Sequence, residues 1–205
     1  MNVRPRRREQ RGATLVVVLL ILLVVLLFGA SSAQTALQGA RMERNERDRR
    51  IAFEAAEAAL LDAEMDIEAS PDARATRSAL FSRYSALGFP AEAGTCGSGA
   101  GNSSLGLCRP AAEGTPAVWR SVDFADGAAD TVRSVAYGQF TGQRFLPGAG
   151  ALPVRAPRYI IELLPDQRQG ESAERKTYLY RITAVGYGAN PNTQVALQSI
   201  YRKTR

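Results

Sequence analysis

An uncharged apolar stretch near the N-terminus constrains the fold of this chain more than any other feature. No charged residue occurs from residue 12 to residue 40, and residues 13 to 30 are almost unbroken Val, Leu, Ile and Ala. About 20 apolar residues in an α-helix, rising about 1.5 Å each, cross the roughly 30 Å hydrocarbon core of a bilayer. The stretch therefore predicts a membrane-spanning helix over residues 13 to 33 and argues against a soluble cytosolic protein.

The positive charge of the chain is concentrated just before this stretch. Residues 1 to 11 carry a charge of +4, out of a formal total of +6 for the whole chain. A basic patch before an apolar run marks the cytoplasmic side of a membrane segment. The charge is not spread over a domain in the way that nucleic-acid binding requires, so no nucleic-acid partner is expected.

Three interpretations of the first 40 residues are open at this point. The first is a cleaved secretory signal, because Ser31-Ser32-Ala33 resembles a cleavage site. The apolar stretch, however, is longer than the roughly 7 to 15 residues of a signal peptide core. The second is a single-span anchor for a periplasmic module. The third is a helix that continues beyond the membrane.

The residues after 33 favour the third interpretation, because the helical pattern continues and becomes amphipathic. Small residues recur at three- and four-residue steps, with charged residues between them. The small residues are Ala52, Ala55, Ala56, Ala59 and Ala63. The charged residues are Glu54, Glu57, Asp62, Glu64, Asp66 and Glu68. Pro71 ends the pattern. We predict one helix from residue 13 to about residue 67, whose second half packs on a sheet.

The C-terminal half has the two-residue period of β-strands. Candidate strands are residues 118 to 124, 134 to 140, 158 to 164, 176 to 185 and 194 to 201, with a turn over residues 188 to 192. Residues 73 to 87 are predicted to form a second, shorter helix or an irregular connection. Trp119 is expected in the core of the first strand.

Two cysteines, Cys96 and Cys108, flank a loop of small residues. If the bulk of the chain is extracytoplasmic, oxidising conditions favour a disulfide between them. The alternative is two free thiols in a flexible loop.

The composition argues against an enzyme. Histidine is absent, which excludes Ser-His-Asp and Cys-His catalysis and every His-ligated metal site. Two cysteines are too few for a four-cysteine zinc site. Asp123, Asp126 and Asp130 lack the spacing of an EF-hand, so a solvated turn is expected there. We predict no catalytic residue, no cofactor and no metal site.

The leader and the start of the apolar helix resemble the signal of type IV prepilins. A short basic leader ends in Arg11-Gly12, and the apolar helix begins at once with Ala13-Thr14-Leu15. The resemblance implies that prepilin peptidase cuts between Gly12 and Ala13 and methylates the new N-terminus. The apolar segment then stays in the mature protein.

Two further blocks are similar to the PilX type of minor pilin. The first is Asn-Glu-Arg-Asp-Arg at residues 45 to 49 with the alanine-rich run at 52 to 60. The second is Tyr-Arg-Ile-Thr-Ala-Val-Gly-Tyr-Gly at residues 180 to 188, followed by Asn-Pro-Asn-Thr at 190 to 193 and Leu-Gln-Ser-Ile-Tyr at 197 to 201. The resemblance covers about residues 8 to 65 and 158 to 202.

Pattern and resemblance together predict an α+β, pilin-like fold. A long N-terminal α-helix, transmembrane in its first half, packs on a C-terminal antiparallel β-sheet. The expected organisation is a leader over residues 1 to 12, the helix over 13 to 69, an irregular connection with the disulfide loop over 70 to 116, and the sheet domain over 117 to 205.

Val17 departs from the pilin pattern. Most type IV pilins have a glutamate at the fifth mature position, which is thought to pair with the N-terminal amine of a neighbouring subunit. A buried carboxylate without such a partner is costly. A subunit with nothing above it has no amine to neutralise. The hypothesis is that Val17 reflects a place at or near the filament tip, as in the K-type pseudopilins of type II secretion.

The resemblance implies a minor pilin that primes pilus assembly in a minor-pilin tip complex and so supports twitching motility and adhesion. The implied partners are other minor pilins, the major pilin, a tip adhesin, prepilin peptidase, the inner-membrane assembly platform and, before assembly, membrane lipid. The implied location is the inner membrane, with the C-terminal domain in the periplasm, and then the filament at the cell surface. The alternatives are a type II secretion pseudopilin and a single-span periplasmic binding module.

Overall fold

The computed structural model describes residues 13 to 69, 71 to 72, 76 to 166 and 177 to 204. The helix α1 spans Ala13–Glu68. The strands that follow in these ranges are β1 (Leu107–Cys108), β2 (Val135–Ala136), β3 (Arg158–Asp166), β4 (Thr177–Tyr187) and β5 (Gln194–Tyr201). The chain divides into two compact units, residues 1 to 46 and residues 47 to 205.

The helix α1 agrees with the predicted helix from residue 13 to about 67. It continues without interruption for 56 residues. Its last backbone hydrogen bond runs from the Ala69 N–H to the Met65 carbonyl, at 3.1 Å. The prediction succeeded because alanine, leucine, glutamate and arginine dominate the segment and no proline occurs in it.

The second unit contains a mixed sheet with the strand order β1-β3-β4-β5, and β2 also pairs with β3. The pairs β3–β4 and β4–β5 are antiparallel, whereas β1 runs parallel to β3. The three long strands are those predicted from the two-residue period, and the expected turn over residues 188 to 192 joins β4 to β5. The α+β, pilin-like fold class is confirmed, with one parallel pair added to the antiparallel sheet.

One face of the sheet packs against the alanine face of α1. The five alanines predicted as the small-residue stripe are each at most 3% exposed. Small side chains let the helix backbone come close to the sheet, and large side chains of β3 and β4 fill the space around it. The large residues in this core include Tyr159, Ile161, Leu163, Tyr180 and Ile182.

The opposite face of the sheet is partly covered by the irregular segment between α1 and β3. Val118, Val122 and Phe124 from this segment pack with Ile160, Val185 and Tyr187 of the sheet in a second core. The Tyr187 hydroxyl donates to the Phe124 carbonyl at 2.7 Å, which ties the segment to β4. The sheet is therefore apolar on both faces over part of its area.

The predicted strand over residues 118 to 124 is wrong. Val118–Arg120 is a single 3₁₀ turn, and Trp119 is half-buried at the side of the second core. Local hydrogen bonds replace the strand ladder, since the Ser121 hydroxyl donates to the Val118 carbonyl at 2.7 Å and the Asp123 carboxylate accepts the Ala125 N–H at 2.8 Å. Such side-chain bonds to nearby backbone compete with sheet pairing.

The predicted strand over residues 134 to 140 is reduced to the two residues of β2. Gly138 turns the chain with a φ of +80°, and a Cβ at this position would overlap the Gln143 carbonyl. The predicted helix over residues 73 to 87 is also reduced, because its described part contains only the 3₁₀ turn Ser78–Leu80. The described residues 76 to 87 therefore form the irregular connection that was the alternative prediction.

A disulfide joins Cys96 to Cys108, which are separated by 12 positions in the chain. Cys108 ends β1 and is fully buried in the second core. The bond therefore fastens the small-residue loop to the margin of the sheet.

The Cys96→Ala/Cys108→Ala double variant is expected to lose about 3 kcal/mol of its free energy of unfolding, because the open loop regains chain entropy in the unfolded state. Urea unfolding of the full chain in mild detergent measures the loss. The control is dithiothreitol, which should destabilise the wild type by a similar amount and leave the double variant unchanged. A wild type that is insensitive to reductant would contradict the prediction.

Candidate assembly helix and its polar anchors

The first part of α1 presents apolar side chains on every side. Each residue from Leu15 to Phe28 is between 45% and 71% exposed, and Val17 is 52% exposed. By length and composition this helix is long and apolar enough to cross a membrane. A helix that is apolar all round requires a lipid or protein cover.

The predicted processing site lies at the start of this helix. Ala13 is the first residue of α1, and Gly12 lies outside the described residues.

The second part of α1 carries a buried ion pair. Asp66 is fully buried and Arg77 is 5% exposed. The Arg77 Nη2 and Nε atoms donate to the Asp66 carboxylate at 2.7 to 3.1 Å, and the Tyr159 hydroxyl donates to the same carboxylate at 2.9 Å. Burial raises the pKa of Tyr159 well above its usual value, so it remains a neutral donor.

The guanidinium of Arg77 also binds the loop around residues 103 to 105. Its Nη1 atom donates to the Ser103 and Leu105 carbonyls at 2.8 and 2.6 Å. Its Cζ atom lies 3.8 Å from the centroid of the Phe140 ring. One side chain therefore connects α1 with two irregular segments of the chain.

Asp62, one turn before Asp66, holds the chain after β2 against the helix. Its Oδ2 atom accepts the Gly138 N–H at 2.8 Å, and its Oδ1 atom accepts a hydrogen bond from the Thr141 hydroxyl. Burial raises the pKa of Asp62, and the charge of Asp66 adds to the rise, while the two hydrogen bonds oppose it.

The Asp62→Asn variant is expected to show a flatter dependence of stability on pH. The pKa of Asp62 in the folded chain lies above the ordinary value of about 3.9, so the folded state binds this proton more tightly than the unfolded state does. The wild type has this contribution in full below the ordinary value and loses it as the pH rises through the raised value.

Urea unfolding of the full chain in detergent, at pH steps from about 3 to 7, compares the wild type with this variant across the carboxyl range. The stability of the wild type minus that of Asp62→Asn should fall as the pH rises. Glu57→Gln, at an exposed position on α1, is the control. A constant difference between wild type and Asp62→Asn would contradict the prediction.

The last turn of α1 binds the C-terminal end of the described chain. The Glu68 Oε1 atom accepts the Tyr201 hydroxyl at 3.0 Å and the Thr204 N–H at 2.8 Å. Although burial acts to raise it, these hydrogen bonds lower the pKa of Glu68. Lys203 donates to the Ser78 and Phe81 carbonyls at 2.9 and 3.0 Å.

The turn between β4 and β5 is attached further back along α1. The Asp48 Oδ1 atom accepts the Asn190 N–H at 3.0 Å. A Cβ on Gly188 would come within 2.5 to 2.9 Å of Asp48 atoms, so the glycine makes this close approach possible. The Gly-Ala-Asn-Pro-Asn turn therefore joins β4 to β5 and also binds Asp48 of α1.

The sequence pattern grouped Asp62 and Asp66 with the charged residues between the alanines, but the structure places both in the core. The spacing of the two aspartates in the sequence indicates this burial. Asp62 follows Ala59 by three positions and Asp66 follows Ala63 by three, so both lie on the face of the alanine stripe. Their partners could not be inferred, because Arg77 comes from an irregular segment and Gly138 from a segment whose alternation predicted a strand.

The three aspartates considered for calcium form local turns. Asp126 accepts the Ala128 N–H and the Thr131 hydroxyl, both at 2.8 Å, and these bonds lower its pKa. Among the described residues, no cluster of three or more histidine, cysteine, aspartate or glutamate side chains could hold a metal ion.

Two family models match this chain. The model for the C-terminal part of type IV pilus assembly protein PilX matches residues 104 to 203, and the PilX N-terminal model matches residues 11 to 61. Together they cover about three quarters of the sequence. The chain belongs to the PilX family of type IV pilus assembly proteins. No curated protein and no solved structure matches the chain.

Family membership confirms the resemblance and identifies the chain as a minor pilin related to type IV pilus assembly. The C-terminal match contains all five strands, and the N-terminal match contains the apolar part of α1. Asp62, Asp66, Arg77 and Cys96 lie between the two matched segments. The contacts of these four residues are therefore described by the structure and lie outside the family models.

Proposed function

We propose that this PilX-family protein is made as a prepilin, cut between Gly12 and Ala13, methylated on Ala13, and assembled into a type IV pilus as a minor pilin. The observation that carries the proposal is the uninterrupted helix α1. Its first part has exposed apolar side chains all round, whereas its alanine face beyond residue 51 is buried against a sheet.

This arrangement supports two successive environments for the apolar segment. Before assembly, lipid of the inner membrane surrounds residues 13 to 33, and the C-terminal unit lies in the periplasm. After assembly, the helices of neighbouring subunits take the place of the lipid. Dispersion contacts between apolar side chains can stabilise both states. The protein acts as a structural subunit and carries out no reaction of its own.

The position we propose is at or near the filament tip, in a complex with other minor pilins and a tip adhesin. Val17 supports this position, because a valine needs no amine partner from a subunit above it. From this position the protein primes assembly on the inner-membrane platform and so supports twitching motility and adhesion.

Mass spectrometry of the mature N-terminus, on protein from the native membrane, tests the processing. A methylated Ala13 start is expected. A start at Gln34 would indicate a freely secreted domain, and an intact leader would indicate a plain anchored module; either result contradicts the proposal. In a deletion strain, loss of pili is expected, whereas loss of protein secretion with intact pili would indicate a type II secretion pseudopilin.

Tip placement has a separate test. The Val17→Glu variant is expected to be displaced from the tip or to assemble poorly, as measured by immunogold labelling of sheared filaments. Unchanged labelling at the tip and an unchanged number of filaments would contradict the role assigned to Val17.

A further inference from the structure

The sheet has one margin that is closed by further strands and one that is open. Beyond β3, the short strands β1 and β2 pair with the sheet. Beyond β5, no strand of the described chain pairs with the sheet. The open margin is therefore the outer side of β5.

The outward backbone groups of β5 can be assigned from the β4–β5 hairpin. The Gly188 N–H donates to the Thr193 carbonyl at 2.9 Å, so these opposed residues occupy a hydrogen-bonding position of the antiparallel register. Bonded and non-bonded pairs alternate along an antiparallel ladder. The residues of β5 that fall in non-bonded pairs, with N–H and C=O directed away from β4, are Gln194, Ala196, Gln198 and Ile200. No described backbone group hydrogen bonds to them.

This open edge has none of the features that normally prevent strand addition. Edge strands are usually short, or carry charges or proline, or contain a bulge. The eight residues of β5 include no charged residue, no proline and no glycine, and their register with β4 is continuous. Ile200 on this strand is 57% exposed. Such an edge is a template for another extended chain.

A groove of about 470 Å³ lies on the outer face of the sheet directly beside this edge. Its lining is mainly apolar and includes Trp119, Val122, Phe124, Val185, Gln194 and Ala196.

One positive charge lies in the same groove. Arg120 also lines it, and the Arg120 Cζ atom is 5.3 Å from the centroid of the Trp119 ring. Alternate side chains of a strand added to β5 would face the groove. The chemistry of the groove fits apolar side chains next to an acidic one.

We propose that β5 accepts an extended segment of another pilus subunit as an additional strand, with apolar side chains in the groove and an acidic side chain beside Arg120. The inference rests on the proposed function, because a filament of several subunits supplies the partner. The uncharged backbone edge provides affinity through main-chain hydrogen bonds, and the groove provides selectivity.

Residue-resolved hydrogen–deuterium exchange on the full chain tests the proposal. In detergent alone, the four outward amides should exchange fast at every protein concentration. In sheared filaments they should be protected by at least about tenfold, because strand addition occupies them. Fast exchange in filaments would overturn the inference and leave the proposed function intact. Protection in detergent that increases with concentration would also overturn it, since a second copy would then be the occupant.

A substitution at the edge gives an independent test. Ala196→Pro removes one outward N–H, and an edge strand tolerates this without loss of its own ladder. Ala196→Ser keeps the N–H and is the matched control. The proline variant should enter filaments at least about tenfold less than the serine variant, with β4 amide protection unchanged in detergent. Equal incorporation would overturn the proposal. Absence of the wild-type chain from filaments would overturn the proposed function as well.

Discussion

The Arg77→Met variant is expected to lose about 3 to 5 kcal/mol of its free energy of unfolding, because it leaves the Asp66 carboxylate buried without a counter-charge. Of the side chains that donate to Asp66, Tyr159 would remain and Arg77 would be lost. The Ser103 and Leu105 carbonyls would also lose their donor. Urea unfolding of the full chain in detergent, followed by near-ultraviolet circular dichroism, measures the loss.

Arg202→Met is the matched control for this variant. Arg202 donates to Asp166 at 2.8 Å, but the arginine side chain is 32% exposed and the aspartate side chain 11%. Solvent screens such a pair, and its loss should cost about 1 kcal/mol or less. If the two variants were equally destabilised, burial of the Asp66–Arg77 pair would not be the cause of the effect.

The Gly186→Ala variant is expected to lose about 3 kcal/mol or more, since its methyl group has no space. A Cβ at this position would overlap the Ala52 carbonyl oxygen and the Ala56 nitrogen, and would lie 3.0 Å from the Ala55 carbonyl carbon. All three contacts are helix backbone, which cannot rotate away as a side chain can. The helix and β4 would have to separate along the alanine face.

Gly127→Ala is the matched control for this second variant. Beyond its chain neighbours, a Cβ added at Gly127 would meet no atom within 4 Å, and the residue does not need a left-handed backbone. The stability of this variant should stay the same or rise slightly, because alanine restricts the unfolded chain. Thermal unfolding of both variants in the same detergent makes the comparison. A tolerated Gly186→Ala would contradict the close approach of helix and strand.

The helix and the three long strands could be predicted because their patterns are long and regular. Five alanines at helical spacing predicted the face that is buried, and alternation in residues 158 to 164, 176 to 185 and 194 to 201 predicted β3, β4 and β5. In each case the local preference and the tertiary packing require the same conformation.

The segment between α1 and β3 could not be predicted in the same way. Val118, Val122 and Phe124 alternate in a manner typical of a strand, yet they reach the second core from a 3₁₀ turn and the loop after it. The decisive bonds come from Ser121 and Asp123 to neighbouring backbone. Short polar side chains of this kind decide local structure without leaving a periodic pattern.

Buried charge was the other feature that the sequence pattern did not predict. A carboxylate on an otherwise apolar face is stable there only with specific donors, and these donors come from distant segments. The Tyr159 hydroxyl that binds Asp66 is 93 positions away, and the Thr141 hydroxyl that binds Asp62 is 79 positions away. Separations of this size leave no trace in a local pattern.

The carboxylates of α1 also limit how far the helix can slide along the sheet. An alanine face repeats at each turn, so apolar contacts alone would be nearly restored after a shift of one turn, about 5.4 Å. Asp48, Asp62, Asp66 and Glu68 accept hydrogen bonds at different heights along the helix. A one-turn shift would break all of these bonds at once. A force that pulls along the helix axis must therefore break these hydrogen bonds simultaneously. An apolar interface without them would let the helix slide along the sheet one turn at a time.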